Sequence, residues 1–85
     1  MKKFDYMIHD KLGLHARPAG MLVKIAQSSV CKISVLANGT TADAKRLFSI
    51  MSLCAKENDR LTFTIEGEDE QTEMDRLKAF CQQNL

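Results

Sequence analysis

Residues 31–43 read Cys31-Lys32-Ile33-Ser34-Val35-Leu36-Ala37-Asn38-Gly39-Thr40-Thr41-Ala42-Asp43. Cys31, Ile33, Val35 and Ala37 alternate with Lys32, Ser34 and Leu36, the period of a half-buried strand. Asn and Gly both enter φ > 0 readily, so Asn38-Gly39 is a two-residue hairpin turn. Thr40 to Asp43 then returns as a short third strand. The hairpin lies between two stretches of helical period. Upstream, Ala16, Ala19, Leu22, Val23 and Ala26 recur at three- and four-residue intervals, and Met21 and Ile25 widen that face. Downstream, Leu47, Phe48, Ile50, Met51, Leu53 and Cys54 predict a short apolar helix from about residue 46.

The ends of the chain complete the pattern. Phe4, Tyr6 and Ile8 alternate with Lys3, Asp5 and Met7, a first strand, and His9 to Gly13 is a polar connection with His9 as a turn residue. Leu61, Phe63 and Ile65 alternate with Thr62, Thr64 and Glu66, a fourth strand closed by Gly67. Asp69 can cap a last helix whose buried stripe is Met74, Leu77, Phe80 and Cys81. The order is β-α-β-β-α-β-α. Each strand has one apolar side, so all three helices must cover the same sheet face. The expected fold class is α+β, an open-faced sandwich: a four-stranded antiparallel sheet with three helices on one face.

Composition limits the function. Eighty-five residues make one domain, 1–85, without linker, repeat or tail. Four Gly and one Pro exclude collagen-like and low-complexity classes. No apolar stretch approaches the ~20 residues that span a bilayer, so no direct membrane insertion is expected. Asp5, Asp10 and Lys11 interrupt any export segment after Lys2 and Lys3. Three widely spaced cysteines, Cys31, Cys54 and Cys81, do not make a disulfide scaffold. They read as small core residues of a cytoplasmic protein. The net charge is +1. It is unevenly spread: residues 1–56 hold nine Lys/Arg against three Asp/Glu, and residues 57–85 hold three against eight. That split suits an electropositive face turned toward an anion or an acidic partner. A nucleic-acid binder is normally more basic overall, and the five aromatics do not interleave with Lys and Arg.

The chemistry concentrates in Gly13-Leu14-His15-Ala16-Arg17-Pro18-Ala19. A helix mouth has unpaired backbone N–H groups and partial positive charge, which makes it an anion site. An imidazole placed there is disfavoured as imidazolium, so its lone pair stays available near neutral pH. Arg17 brings charge-assisted hydrogen bonds to a phosphoryl group. Pro18 stiffens the first turn, where its missing N–H costs nothing. The plainer reading stays open beside this one: His15 as a turn or capping residue and Arg17 as solvated surface. No Gly-rich phosphate loop is present, and His9 and His15 have no partner at metal-ligand spacing. No cofactor and no metal are therefore expected.

A second cluster is Lys45-Arg46-Leu47-Phe48-Ser49-Ile50-Met51. Six apolar residues between 47 and 54 exceed what one face of a short helix buries. Some of Leu47, Phe48 and Met51 must stay exposed, rimmed by Lys45 and Arg46, with Lys24 of the preceding helix able to join them. Such a patch suits protein docking.

The whole chain resembles the HPr family, the histidine-containing phosphocarriers of the bacterial phosphoenolpyruvate-dependent sugar phosphotransferase system. The resemblance runs through residues 13–19, Asn38-Gly39, Ala44-Lys45, Leu47-Phe48, Met51-Ser52-Leu53 and Gly67-Glu68-Asp69-Glu70. It implies an HPr-like fold and a phosphoryl relay from phosphorylated enzyme I to EIIA domains of sugar transporters. It makes His15 the acceptor, through Nδ1, and Arg17 the stabilising cation, with the Ala16 backbone N–H assisting. It implies docking of both partners on Gly20, Lys24, Lys45, Leu47, Phe48 and Met51, a surface that Arg46 of the basic rim is expected to join. The relay is not an independent enzyme, and a monomer suits two transient partners. Many family members carry a regulatory serine directly after the lysine matched by Lys45. Here that position is Arg46, so this switch is expected to be absent. The alternative is a regulatory, non-carrying binding module of the same fold.

Overall fold

The computed structural model describes residues 1–85. Strand β1 spans Lys2–Met7, helix α1 Ala16–Gln27, β2 Lys32–Ala37, β3 Thr40–Asp43, α2 Leu47–Met51, β4 Arg60–Glu66 and α3 Glu70–Asn84. The expected element order is present. The sheet runs β1-β4-β2-β3, with every neighbouring pair antiparallel.

The hairpin turns where the sequence places it. Ala37 pairs with Thr40, and Asn38 and Gly39 hold φ of 52° and 78°. Ile33, Val35, Leu61, Phe63 and Ile65 are buried on the helix-covered face, with Ala37 and Ala42. Phe4 of the edge strand β1 pairs with Phe63 of β4, and their rings stack with centroids 4.7 Å apart. On the other face Thr62 donates to Asp5 Oδ1 at 2.8 Å. That face is uncovered and polar apart from the exposed Met7 and Leu36, so period-two alternation along the strands separates core from solvent.

Helix α1 buries Pro18, Ala19, Leu22, Val23 and Ala26. Several details differ from the sequence reading, among them the end of α2, which stops at Met51 and leaves Leu53 and Cys54 beyond the helix. Ala16, the first residue of α1, is exposed, and the buried face starts at Pro18. Asp69 is at the N-cap of α3, yet at φ 62° its side chain makes no capping bond. Glu70 instead accepts the Gly67 N–H at 3.2 Å. Cys54 is exposed, whereas Cys31 and Cys81 are buried. Cys54 follows the turn after α2 with a left-handed φ of 49°. The stripe of α3 is Leu77, Phe80 and Cys81, with Met74 only partly buried and Glu73 beside them. Glu73 is tolerated there because Arg76 pairs with its carboxylate at 2.9 Å. Burial pushes the Cys81 thiol up to about 12, so it stays protonated.

Candidate functional site

Gly13 positions the site. Its φ is +67°, and a Cβ there would lie 2.5 Å from the Ala55 carbonyl oxygen and 2.6 Å from Lys56 Cα. Only glycine fits both the left-handed backbone and the close approach. Leu14 N–H donates to the same Ala55 oxygen at 3.0 Å, and Leu14 itself is buried. The chain is thereby pinned one residue before His15.

His15 is the N-cap of α1, with extended backbone and no side-chain capping bond. Its carbonyl accepts the first helical bond, from Ala19 N–H at 3.0 Å. The N–H groups of Ala16 and Arg17 have no acceptor in the chain, and Pro18 has no N–H to offer. Two donors are therefore open at the positive end of a twelve-residue helix. The His15 ring is half-buried, and neither of its nitrogens bonds to another protein group. Arg17 is exposed and takes no part in either ion pair of the protein.

His15, Arg17 and Pro18 line one open cleft of about 400 Å³, together with Met21. Asp10, Leu12, Gln83 and Asn84 complete its walls. The sequence reading missed these four. Asp10 carried one local signal, since Leu12 N–H donates to Asp10 Oδ1 at 2.8 Å in an Asx turn. Gln83 and Asn84 carried none. They arrive because His9 and Asp10 N–H groups donate to the Leu85 carbonyl at 2.6 and 2.8 Å, tying the end of α3 to the loop before His15.

The docking candidates divide. Phe48 is 87% exposed, and Leu47 and Met51 are also exposed, while Ile50 of the same helix is fully buried. The short α2 thus has one residue in the core and three apolar residues outside. Arg46 is its exposed N-cap. Lys24 is exposed on α1, which packs beside α2. A Cβ at Gly20 would meet nothing within 4 Å. The fold therefore leaves open space at Gly20. Lys45 behaves differently: it is half-buried, and its Nζ donates to the Ser29 carbonyl at 3.0 Å. No three His, Cys, Asp or Glu side chains gather as a metal-binding group.

A sequence model described as the PTS HPr component phosphorylation site matches residues 2–83. The chain belongs to the HPr family. The phosphocarrier protein HPr of Mycoplasma genitalium is 34% identical over 85 residues, covering 99% of this chain and 97% of that protein. The HPr of Cupriavidus necator is 38% identical over 79 residues, covering 93% and 89%. Among solved structures, an HPr crystal structure from Thermoanaerobacter tengcongensis superposes with a TM-score of 0.90 at 32% identity, covering 96% of this chain and 92% of that one. The shared HPr fold is the four-stranded antiparallel sheet with its three helices.

Proposed function

We propose that His15 is the residue on which this protein carries a phosphoryl group. Its family membership makes the protein a phosphocarrier of the phosphotransferase system, not an independent catalyst. The group comes from phosphorylated enzyme I and passes to EIIA domains of sugar transporters. The observation that carries the residue assignment is the unbonded His15 ring beside the two acceptor-free N–H groups of Ala16 and Arg17.

The chemistry needs little else. In the neutral ring one nitrogen holds the proton and the other a lone pair. The lone pair of Nδ1 attacks phosphorus, a P–N bond forms, and the bond to the donor breaks with its electron pair leaving on the donor. Onward transfer reverses these roles with the acceptor. The Ala16 and Arg17 N–H groups and the Arg17 guanidinium bear the negative charge of the moving group. Alignment by the docking surface makes the encounter effectively intramolecular. Gly20, Lys24, Lys45, Arg46, Leu47, Phe48 and Met51 form or support that surface. Donor and acceptor use it in turn, so each complex must be short-lived. Residues 1–85 act as one unit, a cytoplasmic monomer. No helix is long and apolar enough to cross a membrane. With Arg46 at the α2 N-cap, a permanent positive charge replaces a phosphorylatable hydroxyl at that position.

Incubation with phosphoenolpyruvate and enzyme I tests the assignment. The protein gains acid-labile, base-stable phosphate, and His15→Ala abolishes it. Label persisting in that variant refutes His15 as the acceptor. Tight partner capture without onward transfer would favour the non-carrying module.

A further inference from the structure

Lys45 is tied to the other helix by both of its ends. Its Nζ donates to the Ser29 carbonyl at 3.0 Å. Its own carbonyl accepts from Gln27 Nε2 at 2.9 Å. Gln27 is the last residue of α1, and Ser29 follows the C-cap Ser28. Ser29 is buried, so the Lys45 ammonium satisfies a carbonyl that water reaches poorly, at the negative end of α1. Meanwhile Asp43 Oδ1 accepts Lys45 N–H at 2.9 Å, and Asp43 N–H donates to Ser49 Oγ at 2.9 Å. The entry to α2 is thus held on two sides.

That holding matters because α2 has little else. It spans five residues, and only Ile50 among them is buried. Its own ladder includes Ile50 N–H to Arg46 at 3.1 Å and Ser52 N–H to Phe48 at 3.0 Å. A helix this short has no stability of its own. The placement of Leu47 and Phe48 relative to the His15 end of α1 must come from tertiary ties.

We propose that Lys45 is a positioning residue: with Gln27 it latches the entry of α2 to the C-terminal end of α1, and so sets the Leu47–Phe48 patch in register with His15. This rests on the relay reading above, and it departs from the role of partner contact that resemblance assigns to Lys45. The ammonium is spent on Ser29, so its charge is not the part that docking uses. Lys24 and Arg46 remain as the exposed cations of the surface.

The test separates the latch from a contact. Gln27→Ala removes no charge and lies outside the docking residues. In phosphoryl transfer from enzyme I to the intact protein, it raises KM about threefold to tenfold with kcat unchanged, the scale of one lost hydrogen bond. The salt dependence of KM stays that of the wild type. Lys45→Met raises KM similarly, Lys45→Arg largely restores it, and the Gln27→Ala/Lys45→Met pair is less than additive. Amide exchange at Ile50 and Ser52 accelerates in the free Gln27→Ala and Lys45→Met variants. The latch is refuted if Gln27→Ala matches the wild type in KM and in exchange. A KM increase confined to Lys45→Met, with a weaker salt dependence, also refutes it and makes Lys45 a contact. Lower thermal stability with unchanged KM refutes it too. If the wild type itself takes no phosphate, the relay reading fails, while the exchange measurement still decides the latch.

Discussion

Gly13 runs against Ala55 so closely that no side-chain atom fits between them: a Cβ would sit 2.5 Å from the Ala55 carbonyl oxygen that Leu14 N–H binds at 3.0 Å. The contact joins the loop before His15 to the segment entering β4. Gly13→Ala must therefore open that contact and hold alanine at positive φ. We expect a loss of at least about 2 kcal/mol in a urea titration. The rate of His15 phosphorylation should fall even below the denaturation midpoint, since the helix mouth shifts. Wild-type stability in this variant would show that the loop does not depend on the contact.

Gly20 presents the opposite case. It lies inside α1, where glycine costs stability, and a Cβ there meets nothing within 4 Å. Gly20→Ala should stabilise the free protein by about 0.5–1 kcal/mol. The same methyl should crowd a partner seated on α1 and raise KM for enzyme I about fivefold or more. A gain in stability with unchanged KM would remove Gly20 from the docking surface.

Neighbouring apolar residues of α2 should respond in opposite ways. Phe48 is 87% exposed and Ile50 fully buried. Phe48→Ala should leave stability within about 0.5 kcal/mol while weakening enzyme I binding on the order of 10- to 100-fold by calorimetry. Ile50→Ala should cost about 2–5 kcal/mol through cavity formation. Unchanged partner affinity in Phe48→Ala would count against the patch.

Asp59 links pH to the turn that supports the site. Its carboxylate accepts Lys56 N–H at 2.9 Å and Asn38 Nδ2 at 3.1 Å. The Lys56 N–H bond above all, then that from Asn38, holds its pKa below the ordinary value near 3.8. The folded form thus favours the carboxylate, so this stabilisation is complete above that ordinary value and fades as pH falls through the lower folded value. Wild type should exceed Asp59→Asn in urea midpoint at pH 7. The difference should narrow below about pH 4. A gap that stays constant into acid would contradict the linkage.

Local periodicity made much of the molecule readable. The alternation of Ile33, Val35 and Ala37, the Asn38-Gly39 turn and the three- and four-residue spacing of Ala19, Leu22, Val23 and Ala26 all reflect neighbours in the chain. So does the placement of His15 at the mouth of α1. Such signals survive because each strand or helix must present one apolar face. The excess of apolar residues between 47 and 54 likewise told that α2 leaves some of them outside.

Other features depend on which elements meet, and no local pattern encodes that. The sequence by itself determined the order of elements, the apolar faces and the imidazole at a helix start, since dihedral preference and side-chain period act within a few residues. Only the tertiary structure decided that β4 lies between β1 and β2, that Gln83 and Asn84 wall the His15 cleft, and that the Lys45 ammonium turns toward Ser29. Those outcomes pair groups far apart in the chain, and they follow from close packing and from hydrogen-bonding demands that exist once the core has formed.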